Sequence, residues 1–145
     1  MVEKTFGMIK PEGMQYSSDI EDRIYSCGLE IIEIKELVLT GEQFELIYGH
    51  SRERIPDVYD SLKSYMTSRP VAVMCVSGEG AVEKLLELRG ASNAVDAKPG
   101  TIRGDYAKDQ DYTVLYVRKE FARNVFHAAD ASEAEKMVRL FFGDL

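Results

Sequence analysis

The order of hydrophobic patterns along the chain predicts an α+β domain, an antiparallel sheet with helices packed on one face. Three observations carry this. Short apolar or β-rich runs recur at residues 5–9, 29–39, 71–76 and 112–117, each the length of a strand. Between them lie stretches with capping residues and helical spacing. One segment, residues 90–111, has little periodicity and holds Pro99, Gly100 and Gly104, so it reads as a long ordered loop of the kind that usually carries function. The order strand, helix, strand, helices, strand, helix, loop, strand, helix corresponds to a ferredoxin-like β-α-β-β-α-β core.

Each element has a local reason. Thr5-Phe6-Gly7-Met8-Ile9 is a buried strand that ends in the turn cluster Lys10-Pro11-Glu12-Gly13 and so delivers a lysine to a loop. Ser17 and Ser18 precede a short helix with acids in its first turn and Gly28 as its stop. Residues 29–39 form a long second strand, with an irregularity at Ile31-Ile32 that suggests a bulge. Thr40-Gly41-Glu42-Gln43 matches a capping box, and Pro56 suits the first turn of a further helix.

The run Val71-Ala72-Val73-Met74-Cys75-Val76 is continuously apolar, as expected of a central strand buried on both faces. A helix follows from about Ala81 to Leu88 and stops at Gly90. Tyr112-Thr113-Val114-Leu115-Tyr116-Val117 reads as another strand from its β-branched and aromatic content. Ser132-Glu133-Ala134-Glu135 matches a second capping box, opening a terminal helix that carries Met137, Val138, Leu140 and Phe141.

With 145 residues, 45% of them apolar and 30% charged, the chain is sized for one domain, 1–145, that buries its core without disulfide or metal staples. The net charge of −7 argues against a dedicated nucleic-acid surface, while leaving room for a local basic pocket. Cys27 and Cys75 are too few for a disulfide scaffold and badly spaced for zinc. The first residues lack a signal-peptide core and no apolar segment is long enough to span a bilayer, so a cytoplasmic location is expected.

Lys10, Arg103 and His127 come from three separate segments. Together they suit phosphoryl transfer: a point charge, a bidentate guanidinium, and a neutral imidazole able to accept a phosphoryl group. Taken singly, each also reads as a surface, capping or hydrogen-bonded structural residue. His50 with Arg52 and Arg54 reads as a solvated helix junction.

Three strings occur in order: residues 4–13 around Lys10, Ala97-Lys98-Pro99-Gly100-Thr101-Ile102-Arg103-Gly104-Asp105-Tyr106, and Asn124-Val125-Phe126-His127-Ala128-Ala129-Asp130. This closely resembles the nucleoside diphosphate kinase family over nearly the whole chain. The resemblance implies that His127 is the nucleophile of a ping-pong cycle, taking the γ-phosphoryl group of a nucleoside triphosphate and passing it to a nucleoside diphosphate. It implies that Lys10 and Arg103 hold phosphate oxygens, that Tyr48 positions the γ-phosphate or the histidine, and that Asn124 contacts the sugar and terminal phosphate. Ser92 stands where the family has a threonine. Mg²⁺ would travel on the nucleotide phosphates, and the implied assembly is a homo-oligomer, a hexamer or tetramer.

Departures from the family pattern are equally specific. The base-stacking phenylalanine corresponds to Val58, beside Tyr59, so the aromatic role shifts or stacking weakens. Ala129 replaces a serine, Met137 a glutamate that orients the imidazole, and Leu86 an arginine, with Lys84 and Arg89 near. Glu133 or Glu135 would have to replace the missing carboxylate. The connection from Asp105 to Asn124 is also longer than usual. The alternative these departures suggest is a nucleotide-binding or interaction protein of the same fold with little turnover; an unrelated ferredoxin-like regulatory domain is a third.

Overall fold

The computed structural model describes residues 1–145. Strands β1 (Val2–Ile9), β2 (Glu30–Leu37), β3 (Val71–Glu79) and β4 (Phe126–Ala128) form one antiparallel sheet in the order β2-β3-β1-β4. Helix α1 (Ser17–Ser26) links β1 to β2; α2 (Gly41–Tyr48) and α3 (Pro56–Met66) link β2 to β3. Helices α4 (Ala81–Arg89), α5 (Ile102–Tyr106) and α6 (Tyr112–Val117) precede β4, and α7 (Ala134–Phe142) closes the chain.

Alternation along β1 and β3 divides the core into two layers. Phe6, Met8, Val71, Val73 and Cys75 pack with α2, α3 and α7, while Ile9, Ala72, Met74 and Val76 pack with α1 and α4. Helices therefore cover both faces, a correction to the expectation of one. The unbroken apolar run of β3 demands it, because side chains on both sides of a strand need cover. Gly7 permits the close approach: a Cβ there would lie 2.8 Å from Phe126 Cζ and 3.2 Å from Leu85.

Register sets the site. Met8 pairs with His127 and Ile9 with Phe126, so the end of β1 that carries Lys10 lies beside the strand that carries the histidine. The bulge expected in β2 falls between Ile31 and Glu33. Thr40 and Gln43 form the expected capping box, and Pro56 opens α3 at its first turn.

Three local expectations fail for physical reasons. Tyr112–Val117 is helix α6, not a strand; Asp111 caps it by accepting a hydrogen bond from the Thr113 N–H, and the fourth strand is instead Phe126–Ala128. Ser17 and Ser18 do not cap α1, which continues from a 3-10 turn, Pro11–Tyr16, that begins at the proline. Before α7 the reciprocal pair is Asp130 with Glu133, three residues apart, in which each backbone N–H donates to the other's carboxylate; the box does not start at Ser132.

Candidate active site

Lys10 sits where β1 turns into the 3-10 helix. Its backbone N–H donates to the Val125 carbonyl at 2.8 Å, and its ammonium donates to Asn124 Oδ1 at 2.6 Å and lies 5.4 Å from the Tyr48 ring centre. Only 5% of the residue is exposed. Burial, with the Arg103 charge next in weight, pulls its pKa down to about 7, because a cation without water or a counter-ion is disfavoured.

Arg103 reaches the same place from α5. The helix is capped by Thr101, whose hydroxyl accepts from the Gly104 N–H, and Gly104 must be glycine because a Cβ would fall 1.9 Å from the Lys98 carbonyl oxygen. The guanidinium donates to the Ser92 and Ala91 carbonyls at 2.8 and 3.3 Å and to the Phe126 carbonyl at 2.9 Å. It thus ties the long loop to β4, and its Nε is buried without a partner.

Val125 joins these pieces in a left-handed backbone conformation, with φ of 75°, which a β-branched residue avoids. Its N–H donates to Glu12 Oε2 at 2.9 Å, and the other carboxylate oxygen of Glu12 accepts from the Tyr65 hydroxyl at 3.0 Å. Gly13 is required opposite, since a Cβ there would come within 2.7 Å of the Val125 carbonyl oxygen. Strain held by surrounding contacts commonly marks a functional segment, and here it aims Asn124 and His127.

His127 Nε2 is buried without a hydrogen-bond partner, with Glu133 Oε1 at 3.9 Å and the Tyr48 ring centre at 5.6 Å. Burial first, then the charges of Lys10, Arg103 and Arg89, holds the imidazole pKa well below its ordinary value. The ring is therefore neutral at pH 7, the form that has a free lone pair. The Tyr48 hydroxyl is also buried without a partner, and burial pushes its pKa up, so it remains a donor.

A cavity of about 660 Å³ opens in front of these groups, a size suited to a small-molecule ligand. All seven residues singled out from the sequence line it: Lys10, Tyr48, Val58, Ser92, Arg103, Asn124 and His127. Val58 does so only with a buried flank, being 2% exposed. Tyr59 lies in the core with Phe44 and does not reach the cavity.

The lining extends beyond these seven residues. Arg54 and His50 line the cavity although their junction is solvated as expected; Arg89 lines it one turn beyond Leu86, which is also on the wall. α6 adds Tyr112 and Tyr116. Glu133 is the carboxylate beside the imidazole, whereas Met137 is packed in the core and Ala129 is fully buried. For Arg89 a signal existed in its nearness to Leu86; for α6 the one local signal, Asp111 as a helix cap, is outweighed by the strand propensity of the residues that follow it.

A family model described as nucleoside diphosphate kinase matches residues 3–145. The chain is 37% identical over 146 residues to the nucleoside diphosphate kinase of Archaeoglobus fulgidus, covering 99% of this chain and 88% of that one. It is 38% identical over 144 residues to that of Moorella thermoacetica, covering 97% and 94%. Among solved structures, a transition state mimic of nucleoside-diphosphate kinase from Borrelia burgdorferi with bound vanadate and ADP superposes with a TM-score of 0.87 at 27% identity, covering 99% of this chain and 88% of that one. A Halobacterium salinarum nucleoside diphosphate kinase in complex with CDP gives 0.82 at 32% identity, covering 99% and 90%.

Proposed function

Because the chain belongs to the nucleoside diphosphate kinase family, we propose that it moves the γ-phosphoryl group of a nucleoside triphosphate to a nucleoside diphosphate through a phosphohistidine at His127. The observation that carries this reading is a buried imidazole that shares one cavity with the buried side chains of Lys10 and Arg103. Nε2 faces Glu133, so a proton on Nε2 leaves the Nδ1 lone pair for phosphorus. In the first half-reaction the N–P bond forms as the bond to the bridging oxygen breaks and the nucleoside diphosphate leaves. In the second, a terminal phosphate oxygen of the acceptor diphosphate attacks and the N–P bond breaks.

Lys10, Arg103 and the Tyr48 hydroxyl supply donors for phosphate oxygens, where charge builds up in transfer. Asn124, already bonded to the Lys10 ammonium, is placed to keep that cation aimed. Ser92 and Val58 complete the nucleotide-contacting set. This donor array of cations and N–H or O–H groups fits a phosphate chain. Mg²⁺ would accordingly be held by the nucleotide's phosphates, neutralising part of their charge.

The reading takes residues 1–145 as one domain, cytoplasmic and homo-oligomeric, as a hexamer or tetramer. The exposed Ile32 and Ile34 on the edge strand β2 supply apolar surface for self-association. No helix is long and apolar enough to cross a membrane.

The buried Ala129 and Met137 favour a second reading, nucleotide binding with little turnover. Labelling with γ-³²P ATP distinguishes them: acid-labile, base-stable label that is lost in His127→Ala, with phosphate passed on to GDP, is expected. Absence of label, or equal label in the variant, refutes the phosphohistidine route. ADP binding without exchange would establish the second reading.

A further inference from the structure

The cavity is lined by two chemically different sets of side chains. Lys10, Arg103, Asn124 and His127 form a polar cluster, joined by the Lys10–Asn124 hydrogen bond and by the Arg103 bond to the Phe126 carbonyl beside His127; Val58, Leu62 and Leu86, with residues of α6, supply a more apolar lining. A nucleotide has the same two-part character, an anionic chain and a flat aromatic base, so one cavity that carries both kinds of lining is complementary to both parts.

Aromatic faces free to receive a base are few. Tyr48 packs against Phe44 and His127 and beneath the Lys10 ammonium. Phe121 packs on Tyr65 with the Arg123 guanidinium over it. Tyr59 is in the core, and Val58 has no ring and 2% exposure. The rings of Tyr112 and Tyr116 have no aromatic or cationic partner, and both line the cavity.

Those two tyrosines lie four residues apart on α6, so they project from one side of the helix. Thr113 and Val117, each one residue further on, also line the cavity, while Val114 and Leu115 do not. That periodicity presents one face of α6 to the site. The helix is held from both ends. Asn93 of the long loop donates to Asp111 Oδ1 at 3.0 Å and accepts from the Tyr112 N–H at 3.1 Å. At its other end Lys119 adopts a left-handed conformation, φ 60°, with the Glu120 N–H donating to the Leu115 carbonyl at 2.9 Å, a Schellman closure.

We propose that α6 is the nucleobase wall of the site and that Tyr116, the half-buried member of the pair, is the plate on which the base stacks. A ring face is tolerant of base identity, since every base has a π-face, so this arrangement gives affinity for the nucleoside without strong selection among bases. The inference rests on the proposed function, because it takes the cluster of Lys10, Arg103 and His127 as the place where the nucleotide's phosphates lie.

The test is calorimetric binding of ADP and of inorganic tripolyphosphate, which has no base, to the parent, Tyr116→Ala, Tyr116→Leu and Tyr116→Phe, alongside ATP-to-GDP exchange. Both ringless variants should bind ADP about 10-fold more weakly, with tripolyphosphate unchanged. Tyr116→Phe should match the parent, and in exchange the loss should fall on KM rather than kcat. Unchanged ADP affinity in the ringless variants overturns the inference, as does equal loss of tripolyphosphate or a loss in Tyr116→Phe, which would assign the effect to packing or to the hydroxyl. A parent that exchanges phosphate while the variants bind ADP normally sinks this inference alone; a parent that neither exchanges nor binds ADP sinks the proposed function with it.

Discussion

The two parts of the cavity lining are built on opposite principles. The part proposed to hold phosphate is buried and tied by backbone hydrogen bonds: Lys10 and Arg103 are 5% and 4% exposed, and Arg103 holds carbonyls from two separate segments. No residue of α6 is fully buried, and the helix hangs on caps at its two ends. The lesson is a division of labour. Groups that meet developing charge must be fixed before the substrate arrives, because reorganising them would cost rate. A wall that contacts a base can be a lightly anchored helix, since stacking tolerates small displacements.

The sharpest way to break that contrast is at Arg103. Arg103→Ala removes the donors of three carbonyl contacts, one of them fully buried, as well as a cation of the proposed phosphate site. It should destabilise the fold by about 3 kcal/mol, lower Tm by about 10 °C, and cut exchange at least about 100-fold at temperatures where it stays folded. Arg103→Lys should recover little, because an ammonium cannot span the fork of carbonyls. A thermal melt matching the parent would mean that this part of the lining is not held as described.

A milder perturbation is pH. Burial and neighbouring cations hold His127 well below its ordinary pKa, so the reactive neutral ring persists below pH 6.5 and the acid limb of kcat/KM should lie under that value. Lys10 is lowered as well, and the effect falls on the opposite limb. With its pKa brought down to about 7, the free enzyme loses this cation as pH rises above neutrality, so kcat/KM should decline on the alkaline side from about 7. Phosphate restores the charge, and ADP binding at pH 8 should therefore take up a proton, seen as a buffer-dependent calorimetric enthalpy. An acid limb at or above 6.5, or no proton uptake, would contradict the burial of these two groups.

The same contrast explains what was legible in the sequence. Lys10 follows a buried strand and precedes Pro11, and Arg103 lies just past Pro99-Gly100-Thr101, so local turn chemistry announced both. The helix starts at Thr40 and Pro56 were equally local. α6 was not, because Tyr112, Val114 and Val117 have strand propensity, and the deciding contact is with Asn93, 18 residues away. β4 is three residues long, too short to show a period. The left-handed Val125 had no sequence signal at all, since it is imposed by Glu12, Gly13 and the Lys10 backbone. Glu133 was readable as a first-turn acid of α7, while its nearness to His127 is tertiary.

The smallest effect belongs to the cap of α6. Asp111→Ala removes the hydrogen bond to the Thr113 N–H and the tie to Asn93, a loss of about 1 kcal/mol in favour of the ordered helix. Since no residue of α6 is fully buried, Tm should stay within about 2 °C of the parent. ADP affinity should nevertheless fall, by at most about fivefold, because part of the population no longer presents the wall. Tripolyphosphate binding should not change. A large fall in Tm would instead make α6 part of the folded core, erasing the difference between the two parts of the lining; a fall in tripolyphosphate affinity would mean that the cap reaches through the loop to the Arg103 side of the cavity.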